Sequence, residues 1–265
     1  MMSFNQCIKE LNKLKNSAKA KILAGFFKTG KGEYGEGDIF LGITVPEQRR
    51  VAKKFLDLKF SEIQKLLNSK IHEHRLVALL ILVERYKKSC HPERPPASIC
   101  EAFRAGSEGS RDSSAKPQND NSKEKKDIVK LYLKNTKKIN NWDLVDLSSH
   151  CILGNYLLDK DRKILYALAN SKNLWEKRIA IITTFAFIRQ GDFEDALKIS
   201  KILLKDEHDL IHKAVGWMLR EIGKRDQKVE EKFLLRYYKT MPRTMLRYAI
   251  EKFPEKKRQF YLKKT

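Results

Sequence analysis

The sequence predicts an all-α protein, an α-solenoid of HEAT-like helical repeats that together form a curved, basic concave surface. Three observations predict it. Apolar residues recur at helical spacing, in Leu76, Leu79, Leu80 and Val83 and again in Ile179, Ile182, Ala186 and Phe187. No turn dipeptide is flanked by the alternating pattern of paired strands. Similar helical stretches also return at a near-constant distance. Aligned on Trp142, Arg178, Lys213 and Arg247, their spacings are 36, 35 and 34 residues, a period that stacked helix pairs produce. The tetratricopeptide signature is absent, which leaves the HEAT type.

The elements follow in chain order. Ala18 to Lys28 reads as helix. Thr44-Val45-Pro46-Glu47 has the capping-box pattern with proline in the first turn. The stripe at Leu76–Val83 marks another helix. Asp161, Asp192 and Asp226 are helix starts, and Gly191 and Gly223 are stops. Eleven or twelve helices are expected. Residues 89–126 differ from the rest: they hold four of the seven prolines, seven serines, and only Ile99 and Phe103 as large apolar residues. That composition cannot bury a core, so the stretch reads as a disordered insertion within a single domain spanning 1–265.

The charge locates a partner. The chain has 265 residues and a net charge of +22, which makes a polyanion the first ligand to consider. Residues 1–88 carry 18 basic and 9 acidic residues, 89–126 carry 7 and 6, and 127–265 carry 30 and 18. The excess therefore lies on the patterned helices, where it forms a shaped surface rather than a loose basic tether. Arg178, Lys213 and Arg247, at equivalent repeat positions, would form a stripe on the concave face.

Several classes are disfavoured. The longest strictly apolar run, Leu76–Val83, is far shorter than the ~20 residues of a membrane span. The first seven residues lack the apolar stretch of a secretion signal. Cys7, Cys90, Cys100 and Cys151 are scattered without paired spacing, which fits a reducing, cytoplasmic setting better than a disulfide framework.

Three motifs have chemical and bland readings. Gly30-Lys31-Gly32-Glu33-Tyr34-Gly35 matches a dinucleotide fingerprint, but helix precedes it and Glu33, Glu36 and Asp38 would repel a pyrophosphate, so a mobile glycine-rich turn is expected. His208 and His212 stand four apart, yet Asp209 replaces the zincin glutamate and no third ligand is evident, so no metal is expected. His91, between Cys90 and Cys100, also lacks zinc-site spacing. Asn140-Asn141-Trp142-Asp143-Leu144-Val145-Asp146 is more informative. Asn141 can cap a helix and Asp143 suits its first turn. Asp146, one turn further, is either a partner for Arg178 or a functional carboxylate. Gly216 interrupts a helix where another backbone or a ligand could approach closely; Trp217 and Trp175 have core packing as their ordinary role.

At these residues the chain resembles the AlkD-type DNA alkylation repair family, the HEAT-like-repeat alkylpurine DNA glycosylases. The matching stretches are Phe26–Gly30, Gly35–Asp38, Phe40–Pro46, Asn141–Asp146, Leu174–Arg178 and Lys213–Glu221, so the resemblance covers essentially all of 1–88 and 127–265. It implies Asp146 as the catalytic carboxylate, Trp142 and Trp217 as the rings facing deoxyribose, Arg178 as a phosphate contact, and Phe26 as an aromatic packing at the DNA. That last position is tyrosine in the best-known member type. Lys213 and Arg247 would add DNA contacts.

The resemblance further implies hydrolysis of the N-glycosidic bond of N3- or N7-alkylated, cationic purines in double-stranded DNA, by a monofunctional enzyme without a base-flipping pocket and without cofactor or metal. A monomer, cytoplasmic and associated with the nucleoid, is expected, with no membrane partner. Arg178→Ala should weaken DNA binding and lessen its salt dependence. The alternatives are a non-catalytic HEAT-like protein for bent, branched or damaged DNA and a helical scaffold for an acidic protein.

Overall fold

The structure, a computed structural model, describes residues 2–90 and 118–263. Its described residues form fifteen α-helices, four short 3-10 or π turns, and a single isolated parallel bridge between Ile39 and Ile71. The first five helices are α1 (Phe4–Lys13), α2 (Ser17–Phe26), α3 (Val45–Lys54), α4 (Phe60–Leu67) and α5 (His72–Cys90). Then come α6 (Gln118–Lys134), α7 (Trp142–Asp146), α8 (Lys163–Ala169), α9 (Leu174–Thr183) and α10 (Phe185–Arg189). The last five are α11 (Glu194–Ile202), α12 (Asp209–Gly223), α13 (Gln227–Tyr237), α14 (Arg243–Ala249) and α15 (Glu255–Leu262).

The count exceeds the expected eleven or twelve because several helices are broken. Thr184 alone separates α9 from α10, and Asp146 ends α7 after one turn and a half before a π turn at His150–Gly154. Both ends of the stretch 89–126 that composition marks as irregular are helical: α5 runs to Cys90 and α6 begins at Gln118. Composition places the boundary at 126, whereas α6 extends upstream from a segment whose Ile128, Val129 and Tyr132 are buried. Residues 91–117, with His91 and Cys100, lie outside the described residues.

The caps behave as their side chains dictate. The Glu47 carboxylate accepts from the Thr44 N–H at 2.9 Å, Asp226 accepts from Val229 N–H at 3.1 Å, and Asp161 accepts from Lys163 N–H at 2.8 Å. Gly191 closes α10 at φ 80°, a backbone that glycine adopts without strain. Cys7, Cys90 and Cys151 are free thiols. His208 caps α12 by accepting from Leu210 N–H at 3.1 Å, and His212 donates to the Asp206 carbonyl at 2.5 Å. The two histidines therefore have helix-end duties.

The apolar run Leu76–Val83 belongs to α5 and is buried on all sides, with α3, α4, α6 and the π turn packed on that helix. A helix enclosed in this way is apolar around its whole circumference, and each fully buried Leu, Ile or Val contributes roughly 1.5–3 kcal/mol. No described helix is long and apolar enough to cross a membrane.

The repeat is visible in the packing. Helices α7, α9, α12 and α14 touch in that sequence, while α8, α11 and α13 pack against them from a second row. Trp142, Arg178, Lys213 and Arg247 fall on α7, α9, α12 and α14 respectively, so the spacing of 34–36 residues corresponds to successive helices of one row. Gly216 lies where α12 meets α14. A Cβ there would run into the Met245 carbonyl and the Tyr248 Cβ, so the close approach is to a neighbouring backbone. Gly216→Ala is expected to force the two helices apart and destabilise the fold by about 1–3 kcal/mol, which thermal unfolding measures.

Candidate active site

The site is built around α7, a helix of only five residues. Isolated helices that short do not hold themselves together in water, so its position depends on what ties it down. Asn141 caps it, its Oδ1 accepting from the Trp142 N–H at 2.8 Å. Leu144 and Val145 bury its inner face in the core, and ionic ties come from α5 and α9.

At the C-terminal end, Asp146 meets Arg178 of α9 in a two-pronged pair. Arg178 Nε donates to Oδ1 at 2.9 Å and Nη2 to Oδ2 at 2.7 Å, the fork geometry that makes such pairs strong. Arg178 Nη1 donates to the Leu210 carbonyl at 2.5 Å. Arg178 is 5% exposed, and its guanidinium is thus largely committed within the protein. Burial pushes the Asp146 carboxyl above the usual aspartate range, while the charge and hydrogen bonds of Arg178 pull it back.

At the N-terminal end, Asp143 accepts from His72 Nε2 at 2.8 Å. The opposite ring nitrogen, Nδ1, faces Asp38 Oδ2 at 3.1 Å, and Asp38 Oδ1 accepts from Arg75 Nη2 at 2.7 Å. All four side chains are buried or nearly so. Asp38 reaches this place because the backbone of Ile39 bridges the start of α5, His72 N–H donating to the Ile39 carbonyl at 2.9 Å. Burial works to lower the His72 pKa, but Asp143 and Asp38 outweigh it and lift the imidazole to about 9. Burial likewise acts to raise the Asp38 carboxyl, but its hydrogen bonds and the charges of His72 and Arg75 hold it below the usual range.

The aromatic side chains are stacked in order. Phe40 lies on His72 at 4.6 Å between centroids, Phe27 tilts against His72 at 5.1 Å, and Phe27 stacks on Trp142 at 5.2 Å. Phe26 meets Trp142 edge-on at 5.9 Å and is 62% exposed. Tyr34, in the glycine-rich turn, meets Trp175 edge-on at 5.9 Å. The turn satisfies its own amides: Glu33 accepts from the Gly30 N–H at 2.9 Å and Glu36 from the Gly32 N–H at 2.8 Å. Of the three acidic residues that disfavoured a nucleotide, Glu33 and Glu36 therefore serve the turn itself and Asp38 serves His72 and Arg75.

A cavity of about 460 Å³ opens beside these groups, lined among others by Phe26, Phe27, Phe40, Gln48, Trp142 and Asp146. Glu73, also in its wall, is taken up by the N–H groups of Leu41, Gly42 and Ile43. Among the described residues, Gln48 Oε1 is the buried side-chain acceptor of this wall left without a partner. One acceptor on a largely apolar wall is a poor reader of a purine edge, which needs several aligned donors and acceptors.

The structure thus brings Phe26, Trp142 and Asp146 around one cavity and places Arg178 behind Asp146. Trp217 does not line that cavity. It is half-buried on α12, donates from Nε1 to Glu221 at 3.2 Å, and lies 5.9 Å from Phe185. Lys213 is half-exposed and pairs with Asp209 at 2.7 Å, and Arg247 is exposed on α14. Trp175 is core, as expected. Sequence reasoning missed His72, Arg75, Phe27 and the role of Asp38. Asp38 and Phe27 lie within stretches that carried the family resemblance, whereas His72 and Arg75 gave no signal beyond a charged start to an apolar helix.

Comparisons with known proteins agree with this architecture. The family model described as DNA alkylation repair enzyme matches residues 7–105 and 113–253. A solved structure described as a predicted DNA alkylation repair enzyme from Enterococcus faecalis superposes with a TM-score of 0.57. The match covers 91% of this chain and 97% of that one at 15% identity, a likeness of fold alone. No curated protein matches the sequence.

Proposed function

The chain belongs to the family of DNA alkylation repair enzymes, and from that premise we propose that it is a monofunctional DNA glycosylase for N3- and N7-alkylated purines in duplex DNA. The observation that carries this reading is a half-buried carboxylate, Asp146, held in a fixed orientation by Arg178 at the edge of an aromatic cavity.

The chemistry asks little of an acid. Alkylation gives the purine a positive charge, so it departs as a neutral base when the bond to C1′ breaks, and positive charge is left on the deoxyribose. Asp146, as the carboxylate paired with Arg178, stabilises that charge and orients the water that adds to C1′. The proton of that water passes to solvent. Trp142 offers an electron-rich ring face to the same centre, and its ring is held by Phe27 and Phe26. Trp217, whose indole N–H is held by Glu221, contributes a second ring from the adjacent helices of the row. Lys213, Arg247 and Phe26 are the exposed side chains of this set and are assigned to the DNA surface, with the cations on phosphates. Arg178 acts first as the anchor of Asp146. The sparse polar lining of the cavity supports approach from the sugar–phosphate side without extrusion of the base.

The decisive experiment is incubation with a duplex containing N7-methylguanine, followed by chromatography of released bases and electrophoresis of the strand. Free N7-methylguanine with an intact abasic strand is the expected result. Tight, salt-sensitive duplex binding without base release would replace this reading with that of a non-catalytic DNA-binding protein.

A further inference from the structure

We propose that His72 is a positioning residue for base release, acting as an imidazolium clamped between Asp38 and Asp143 to fix the turn that carries Trp142 and Asp146. The inference rests on the glycosylase reading for its consequence and on geometry for its substance.

Both ring nitrogens of His72 face carboxylate oxygens, at 3.1 Å and 2.8 Å. An ionised carboxylate only accepts, so both nitrogens must donate and the ring must carry two protons. A neutral ring would turn one lone pair toward a buried carboxylate, and that contact would repel. The charged groups acting on the ring are Asp38 from the preceding loop, Asp143 from α7 and Arg75 from its own helix, and Glu73 lines the same cavity. Arg75 is taken up by Asp38 and Glu73 by backbone amides.

The consequence follows from the size of α7. Five residues are too few for a helix to stand alone; the buried Leu144 and Val145 hold its inner face, and its ends are set by charged partners. One cation holds each end: His72 of α5 through Asp143, and Arg178 of α9 through Asp146. His72 acts on Trp142 by a second route, through the Phe27 ring that contacts both. Loss of the His72 charge would free the N-terminal end of the turn while Arg178 still held the other, so Trp142 and Asp146 would shift relative to one another.

Nitrogen-15 spectra of the wild-type histidines are expected to show both His72 ring nitrogens protonated at pH 7.5, with one titration near pH 9. Single-turnover release of N7-methylguanine, corrected for loss without protein, should fall through the same pH range. Asp143→Asn removes one of the two carboxylates and should move that fall to lower pH. His72→Gln should slow release about 10-fold or more, as expected when catalytic groups are misplaced by a fraction of an ångström to an ångström, with affinity for unmodified duplex retained. If His72→Gln does not fold, the wild-type and Asp143→Asn pH profiles decide. A neutral His72 at pH 7.5, or wild-type release by His72→Gln, overturns the proposal. If the wild-type chain releases no base at any pH, the glycosylase reading falls and takes this role with it. If the wild type is active and His72→Gln equals it, this role alone falls.

Discussion

Asp146→Asn is expected to abolish most base release, by about 10²–10³-fold, the cost of removing one preorganised electrostatic group from a reacting centre. Duplex binding should survive, because Asp146 is an acid already paired with Arg178 and contributes nothing to phosphate attraction. The substitution keeps the shape but replaces one oxygen with an N–H₂ group, which then points its donors at Arg178. One of the two hydrogen bonds now at 2.9 Å and 2.7 Å must therefore be lost. Single-turnover kinetics on an N7-methylguanine duplex, with binding measured separately, checks the prediction. Equal rates for the two proteins would remove Asp146 from the chemistry.

Arg178→Ala should have a larger effect on stability. It leaves a half-buried carboxylate without its partner, a change that costs up to about 3 kcal/mol, below that of breaking a fully buried pair. Burial already pushes the Asp146 carboxyl upward, and Arg178 is the group that opposes it. Without the guanidinium the carboxyl holds its proton to higher pH. Base release by the variant should then be weak near neutrality and rise with pH as Asp146 ionises. Arg178→Lys restores the charge but not the fork and should recover only part of the loss. The salt dependence of binding separates two duties. An arginine on phosphate would lower the slope of log K against log salt by ~0.9 when removed. An arginine committed to Asp146 and the Leu210 carbonyl should leave the slope nearly unchanged, and the geometry favours this second outcome.

The helical class and the repeat were legible because they are written in short-range periodicity. Apolar side chains at three- and four-residue spacing must share a helix face, and a near-constant recurrence of such faces must stack. Trp142, Asp146 and Arg178 were legible through their motifs. What α7 needs in order to stand was not. Its ties come from residues 71 and 32 positions away, His72 through Asp143 and Arg178 through Asp146. The bridge that delivers Asp38 to His72 joins Ile39 to Ile71 and has no local pattern. The start of α6 was misplaced for a related reason: Gln118–Lys126 is polar, and its helix continues from a buried segment downstream.

By itself, then, the amino-acid sequence determined an all-helical repeat, a positive charge carried by the patterned helices, and an acidic residue beside a tryptophan. Only the tertiary structure decided that Arg178 faces this acid and is largely withdrawn from the surface, and that a buried histidine between two carboxylates holds the other end of the same turn. The physical reason is that periodicity and composition act through neighbours along the chain. The charge state and orientation of a buried group are set by neighbours in space, where the dielectric is low and each partner counts.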